Sequence, residues 1–258
     1  IHNLAYQGVF NPERAMEFSG FGMEQFYPGS WFEKNGAVNA MKTGIMFADK
    51  ITTVSPTYAG EIRYPYYSEG LQAELNMRGA DLIGILNGVY YDEWNPEKDP
   101  DIYYNYTIDN IEEKRKNKHE YLKEFGYTEE DDLDLPLVGI VTRLAEQKGI
   151  DLVINKLEYY LTNHRFRFTL LGSGQKEYED FFNYIKYKYP KLSAITIGYN
   201  NALSHKLITA SDFILVPSRF EPCGLTQLYS LKYGTIPIVR QTGGLADTVS
   251  EYTTDTGE

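Results

Sequence analysis

The chain has 258 residues, 42% hydrophobic and 24% charged, the make-up of a globular protein long enough for roughly two domains. Its 25 Lys and Arg against 36 Asp and Glu leave a formal charge of −11, which repels polyanions and argues against a nucleic-acid or anionic-membrane partner. The one cysteine, Cys223, excludes an internal disulfide framework and fits a reducing cytosol. No apolar run approaches the ~20 residues that a membrane-spanning helix requires.

The chain opens at Ile1 without a methionine and ends in a polar run, so it reads as a piece of a longer protein. His2 follows what would be the end of a strand, as a structural residue or a ligand contact. Residues 11–36, rich in Phe, Gly, Pro and Trp, predict a packed but irregular surface region. Residues 37–47 have the spacing of a buried helix, and 51–54 that of a short strand. Ser55-Pro56 then supplies an N-cap and a first-turn proline for the next helix. Lys42-Thr43-Gly44 resembles a phosphate or penicillin-site motif, but it lies inside the helical pattern without partner motifs and reads as structural. A strand over 82–86 ends in the turn pair Asn87-Gly88, and the aperiodic stretch 88–106 predicts a linker between domains 1–86 and 87–258. The sequon at Asn105 is idle in a chain without a secretory signal. Residues 109–125 predict a charged helix with Glu112/Lys116 and Glu120/Lys123 pairs on a solvated face, followed by an acidic loop over 129–134.

From Leu135 onwards strands and helices alternate. Strands are expected at 137–141, 166–171, 194–198, 213–216 and 236–239. The first four lead into helices at 149–161, 176–188, 202–210 and from Leu225 to a stop at Gly234. Such βα repetition with short loops predicts an α/β fold with a doubly wound parallel sheet.

The chemistry gathers at the carboxyl ends of those strands. Arg143 and Lys148, five residues apart, suit a diphosphate, or else form a solvated basic edge. Gly172-Ser173-Gly174 lacks the third glycine of a dinucleotide fingerprint, which disfavours a dehydrogenase. Pro217-Ser218-Arg219-Phe220-Glu221-Pro222-Cys223-Gly224-Leu225-Thr226-Gln227 places the Glu221 carboxylate and the amides of Gly224, Leu225 and Thr226 at a strand-to-helix switch, or is an ordinary turn. No His/Cys/Asp cluster has metal-ligand spacing, and no Gly-x-Ser-x-Gly elbow occurs. The loops at 142–149, 172–174, 198–200 and 217–226 are expected to line one crevice suited to a pyrophosphate-linked donor with a hydroxyl-bearing group near Glu221.

Taken with Asn3-Leu4-Ala5-Tyr6-Gln7-Gly8 after His2, Thr53-Val54-Ser55-Pro56, Leu86-Asn87-Gly88, Thr142-Arg143-Leu144, Gln147-Lys148-Gly149 and Thr242-Gly243-Gly244-Leu245-Ala246-Asp247, the 217–227 motif resembles the bacterial glycogen synthases and plant starch synthases. The resemblance spans essentially the whole chain. It implies the GT-B architecture: a Rossmann-like C-terminal domain, plus the later part of a first such domain whose Lys-x-Gly-Gly loop is absent. It implies retaining transfer of glucose from ADP-glucose to an α-1,4-glucan in the cytoplasm or, for a plant, the plastid, without a metal or other cofactor. By resemblance Arg143 and Lys148 hold the phosphates, His2 contacts the glucose, Glu221 holds its 3- and 4-hydroxyls, and Tyr199 stacks on adenine. Asn87 lines the cleft, Cys223 is a close-packed site residue, and the amides of Gly224, Leu225 and Thr226 touch phosphate. With Glu221 the one well-placed carboxylate, front-face transfer is favoured over a covalent glucosyl-enzyme. The alternatives are a phosphorylase-like relative and a module that binds nucleotide or glucan without transferring.

Overall fold

The computed structural model describes residues 1–253 and falls into two units, Ile1–Asn87 and Gly88–Glu258. The first begins with β1 (Val9–Phe10) and α1 (Pro12–Ser19). Residues 11–36 are thus not wholly irregular: Asn11 caps α1 by accepting from the Arg14 amide at 3.1 Å, and Pro12 sits at the helix start. The Asn-Pro signal was present, masked by the aromatic density around it. β2 (Glu33–Lys34) and β3 (Ala37–Asn39) complete an antiparallel sheet in the order β1-β3-β2, and α2 (Ala40–Phe47) follows at once. The expected helix over 37–47 therefore begins three residues late, because Ala37 to Asn39 pair with strands on both sides, a tertiary demand that overrides local pattern. Lys42 in α2 donates to the carbonyls of Ser30 (2.9 Å) and Glu33 (2.7 Å), the structural role expected for it.

β4 (Ile51–Thr53) leads through Ser55, which accepts from the Tyr58 amide at 2.9 Å, into α3 (Pro56–Glu61). After α4 (Gln72–Met77), β5 (Leu82–Gly84) pairs in parallel with β4. Leu4, Ile45, Tyr58, Ile62, Leu71 and Leu75 form the core here.

In the second unit the stretch 88–106 is no free linker. Trp94, Ile102 and Tyr106 are buried in the core, and the Tyr106 hydroxyl donates to the Tyr233 carbonyl at 2.8 Å. Asn105 Nδ2 donates to the carbonyls of Pro96 (3.1 Å) and Asp99 (2.8 Å), so this residue staples the loop. Isolated aromatic anchors carry no period, which is why the pattern looked structureless.

α5 (Glu113–Glu124) follows a short 3-10 turn. Its Lys123 meets Glu120 as expected, but Lys116 pairs with Glu113 rather than Glu112, at 2.6 Å. Then come β6 (Leu137–Val141), α6 (Ile150–Asn163), β7 (Arg167–Gly172), α7 (Lys176–Lys188) and β8 (Ser193–Ile197). The series continues with α8 (Asn201–Ala210), β9 (Phe213–Val216), α9 (Thr226–Lys232), β10 (Ile236–Val239) and α10 (Gly243–Thr248). The five strands are parallel in the order β10-β9-β6-β7-β8. Side chains alternate between faces: Leu170 and Ile140 pack with α6 and α7, while Leu171 and Ile214 pack with α5 and α8.

Candidate active site

Strand order fixes where a crevice must open. From β6 the chain winds outward through β7 and β8, and from β9 it winds the other way to β10, so the loops after the adjacent strands β6 and β9 part from each other. A cavity of ≈ 90 Å³ lies there, lined by Thr142 and Lys148 from the first loop and by Ser218, Glu221, Gly224, Leu225, Thr226 and Gln227 from the second. That is about three water volumes, enough for a small polar group and too little for a whole nucleotide sugar.

Glycine makes the approach of the two loops possible. Gly149 has φ +67°, and a Cβ there would lie 2.1 Å from the Pro217 carbonyl oxygen. The Arg219 amide donates to the Gln147 carbonyl at 2.8 Å, and Arg219 also pairs with Asp151. Across this seam Lys148 Nζ stands 2.5 Å from Glu221 Oε2, with side-chain exposures of 17% and 9%. Ser218 Oγ donates to the same oxygen at 2.8 Å.

The turn after Glu221 is held just as closely. Gln227 Nε2 reaches the carbonyls of Cys223 (3.2 Å) and Gly224 (3.0 Å) and Thr248 Oγ1 (3.0 Å), tying the turn to α10. Gly244 donates its amide to the Glu221 carbonyl at 3.0 Å and leaves no room for a Cβ, which would meet the Cys223 carbonyl at 2.2 Å. Cys223 is buried, its thiol donating to the Gly224 carbonyl at 3.3 Å.

The structure thus brings Lys148, Glu221, Gly224, Leu225 and Thr226 to one cavity. Arg143 is exposed on the same loop as Lys148 but outside that lining. The loops at 172–174 and 198–200 lie beside the first loop but outside this cavity's lining. A Cβ at Gly172 or Gly174 would lie 2.1 Å from the Thr142 carbonyl oxygen or 2.2 Å from that of Leu144, so Gly-Ser-Gly serves loop-on-loop packing. Gly198 in turn donates to the Gly172 carbonyl at 2.9 Å, and Tyr199 stands 89% exposed, away from the cavity lining. His2 and Asn87 belong to the first unit; both are exposed, and His2 borders a cavity of ≈ 600 Å³ there.

Sequence reasoning passed over Ser218, Gln227 and Thr142. Ser218 could have been found, since it lies three residues before Glu221 within the motif. It also missed a cluster that linear spacing conceals: donor atoms of Asp99, Asp101 and His205 lie within 4.8 Å of one another. Its hydrogen bonds make it structural. Asp99 Oδ2 accepts from His205 Nδ1 (2.7 Å) and the Tyr233 hydroxyl (2.5 Å), while Oδ1 accepts from the Asp101 amide (2.8 Å). Burial works to raise the Asp99 carboxyl, but these bonds outweigh it and hold the group below its usual value. Trp94 lies stacked between His205 (3.7 Å) and Tyr229 of α9 (3.9 Å).

Comparison with known proteins accords with this geometry. The family model for the starch synthase catalytic domain matches residues 1–77, and that for glycosyl transferases group 1 matches residues 128–257. The starch synthase IV catalytic domain of Arabidopsis thaliana, solved with ADP and acarbose, superposes with a TM-score of 0.89 at 37% identity, over 99% of this chain and 52% of that one. Sucrose-phosphate synthase of Thermosynechococcus elongatus, at 17% identity over 82% of this chain and 45% of its own, shares the fold with a TM-score of 0.54. The class is therefore a glycosyltransferase of GT-B architecture.

Among curated proteins, the glycogen synthase of Thermosipho melanesiensis is 48% identical over 98% of this chain and 51% of its own length. That of Fervidobacterium nodosum is 46% identical over 100% and 52%. The chain belongs to the family of bacterial glycogen synthases and plant starch synthases, and it spans about half the length of the curated relatives it matches.

Proposed function

We propose that the chain carries the donor site of an ADP-glucose-dependent glucosyltransferase that extends an α-1,4-glucan with retention. The observation that carries this is the Lys148–Glu221 pair in the crevice at the sheet's switch point. A cation there answers the charge that develops on a departing diphosphate, and a carboxylate beside it accepts hydrogen bonds from sugar hydroxyls. Arg143 is the second phosphate cation, reaching in from its exposed loop. The amides of Gly224, Leu225 and Thr226 face the phosphates and Tyr199 offers its open ring to adenine, while contact with the sugar by His2 and Asn87 rests on the family resemblance alone. Cys223 packs the turn rather than attacking. With those cations supplying the charge, no metal is called for. The glycogen synthase relatives and the ADP and acarbose held by starch synthase IV support the donor and acceptor classes.

Transfer of labelled glucose from ADP-glucose to maltooligosaccharide, measured on the chain and on the complete polypeptide that contains it, tests the reading. Transfer from ADP-glucose well above that from UDP-glucose is expected of the complete polypeptide. Nucleotide binding without transfer there would favour a binding module instead.

A further inference from the structure

We propose that Ser218 is a positioning residue. It holds the Glu221 carboxylate while the donor diphosphate draws Lys148 away from it, so that the other carboxylate oxygen meets the sugar. The inference rests on the reading of Glu221 as the sugar-holding group.

Both short contacts to Glu221 converge on one atom. Lys148 Nζ and Ser218 Oγ lie 2.5 and 2.8 Å from Oε2, whereas Oε1 has no hydrogen-bond partner among the described residues. One oxygen is held and the other is left for a ligand. Ser218 is 0% exposed and three residues from Glu221, so its hydroxyl cannot be replaced there by water without rearrangement.

Both members of the ion pair line the cavity of ≈ 90 Å³, so a phosphate entering it must compete for Lys148. Parting a buried pair is costly when a charge is left alone. The exchange is tolerable if each partner finds a substitute: phosphate oxygens for Lys148, and sugar hydroxyls plus the retained Ser218 hydroxyl for Glu221. Without Ser218 the flexible glutamate would either follow the ammonium or turn its plane away.

The test uses the complete polypeptide with Ser218→Ala and Ser218→Thr, reading ADP and ADP-glucose affinities by calorimetry alongside turnover. Ser218→Ala should lower kcat by about tenfold or more, the loss of one hydrogen bond to a charged group. It should erode the preference for ADP-glucose over ADP while leaving ADP affinity within about twofold of wild type. Ser218→Thr, which keeps the hydroxyl, should recover most of the loss. Wild-type turnover in Ser218→Ala, an equal loss of ADP and ADP-glucose binding, or a threonine variant no better than alanine would each overturn the proposal. A wild-type protein that binds neither ADP nor ADP-glucose contradicts the donor-site reading instead.

Discussion

Lys148 and Glu221 neutralise each other at 2.5 Å with little solvent access. Such a pair adds little net stability, because desolvating two charges offsets most of their attraction. Its position in the cavity is better explained by what each group does once a ligand arrives. Glu221→Gln separates the two roles. The variant removes the negative charge that competes for Lys148, so ADP affinity measured by calorimetry should be unchanged or tighter. Turnover should fall by about a hundredfold or more, because the amide no longer presents a charged acceptor to the sugar. Equal losses of binding and turnover would make Glu221 structural. Of this site, the sequence displayed the charged residues and the strand-to-helix switch. The loops that carry Lys148 and Glu221 were expected at one crevice, but not their direct ion pair, which forms across 73 residues through the β6–β9 adjacency.

At the scale of elements, α7 and β9 have the ends that periodicity assigned to them, because each is an uninterrupted run bounded by Gly, Pro or a polar cap. Elements set by partners were misread. β3 depends on two neighbouring strands, and the stretch 88–106 depends on single aromatic anchors. α5 carries its expected solvated face at Glu120 and Lys123, but elsewhere on the helix Lys118 turns inward to Asp212 at 2.6 Å. Lys114 likewise points its ammonium at the carbonyls of Thr209 and Ser211, the latter at 2.9 Å, and at Thr235 Oγ1 at 2.7 Å, capping the end of α8.

Burial pushes the Lys114 ammonium down from 10.5 to about 7, with the Asp212 carboxylate opposing the shift. The sign follows from proton counting. Between about pH 7 and about pH 10 the unfolded chain binds more protons at this lysine than the folded one, so this group's contribution to stability rises with pH across that window. Lys114→Met should flatten the rise. Urea midpoints measured across the window read the effect directly, and an unchanged slope in the variant would place the titration elsewhere.

At the scale of the whole molecule, a parallel sheet with helices on both faces must open where its winding reverses, and the candidate site falls at that opening. No helix among the described residues is long and apolar enough to cross a membrane. The negative formal charge of −11 makes the local cations at the crevice all the more necessary for an anionic ligand. The donor half of the chemistry is therefore expected to reside in the second unit, with Lys148 as its phosphate contact. The most direct measurement is a calorimetric titration of this chain with ADP, run beside its Lys148→Ala variant and with thermal unfolding as a control for folding. Saturable binding that weakens about tenfold or more in the variant is the predicted result. Equal affinity in a folded Lys148→Ala chain would contradict the account.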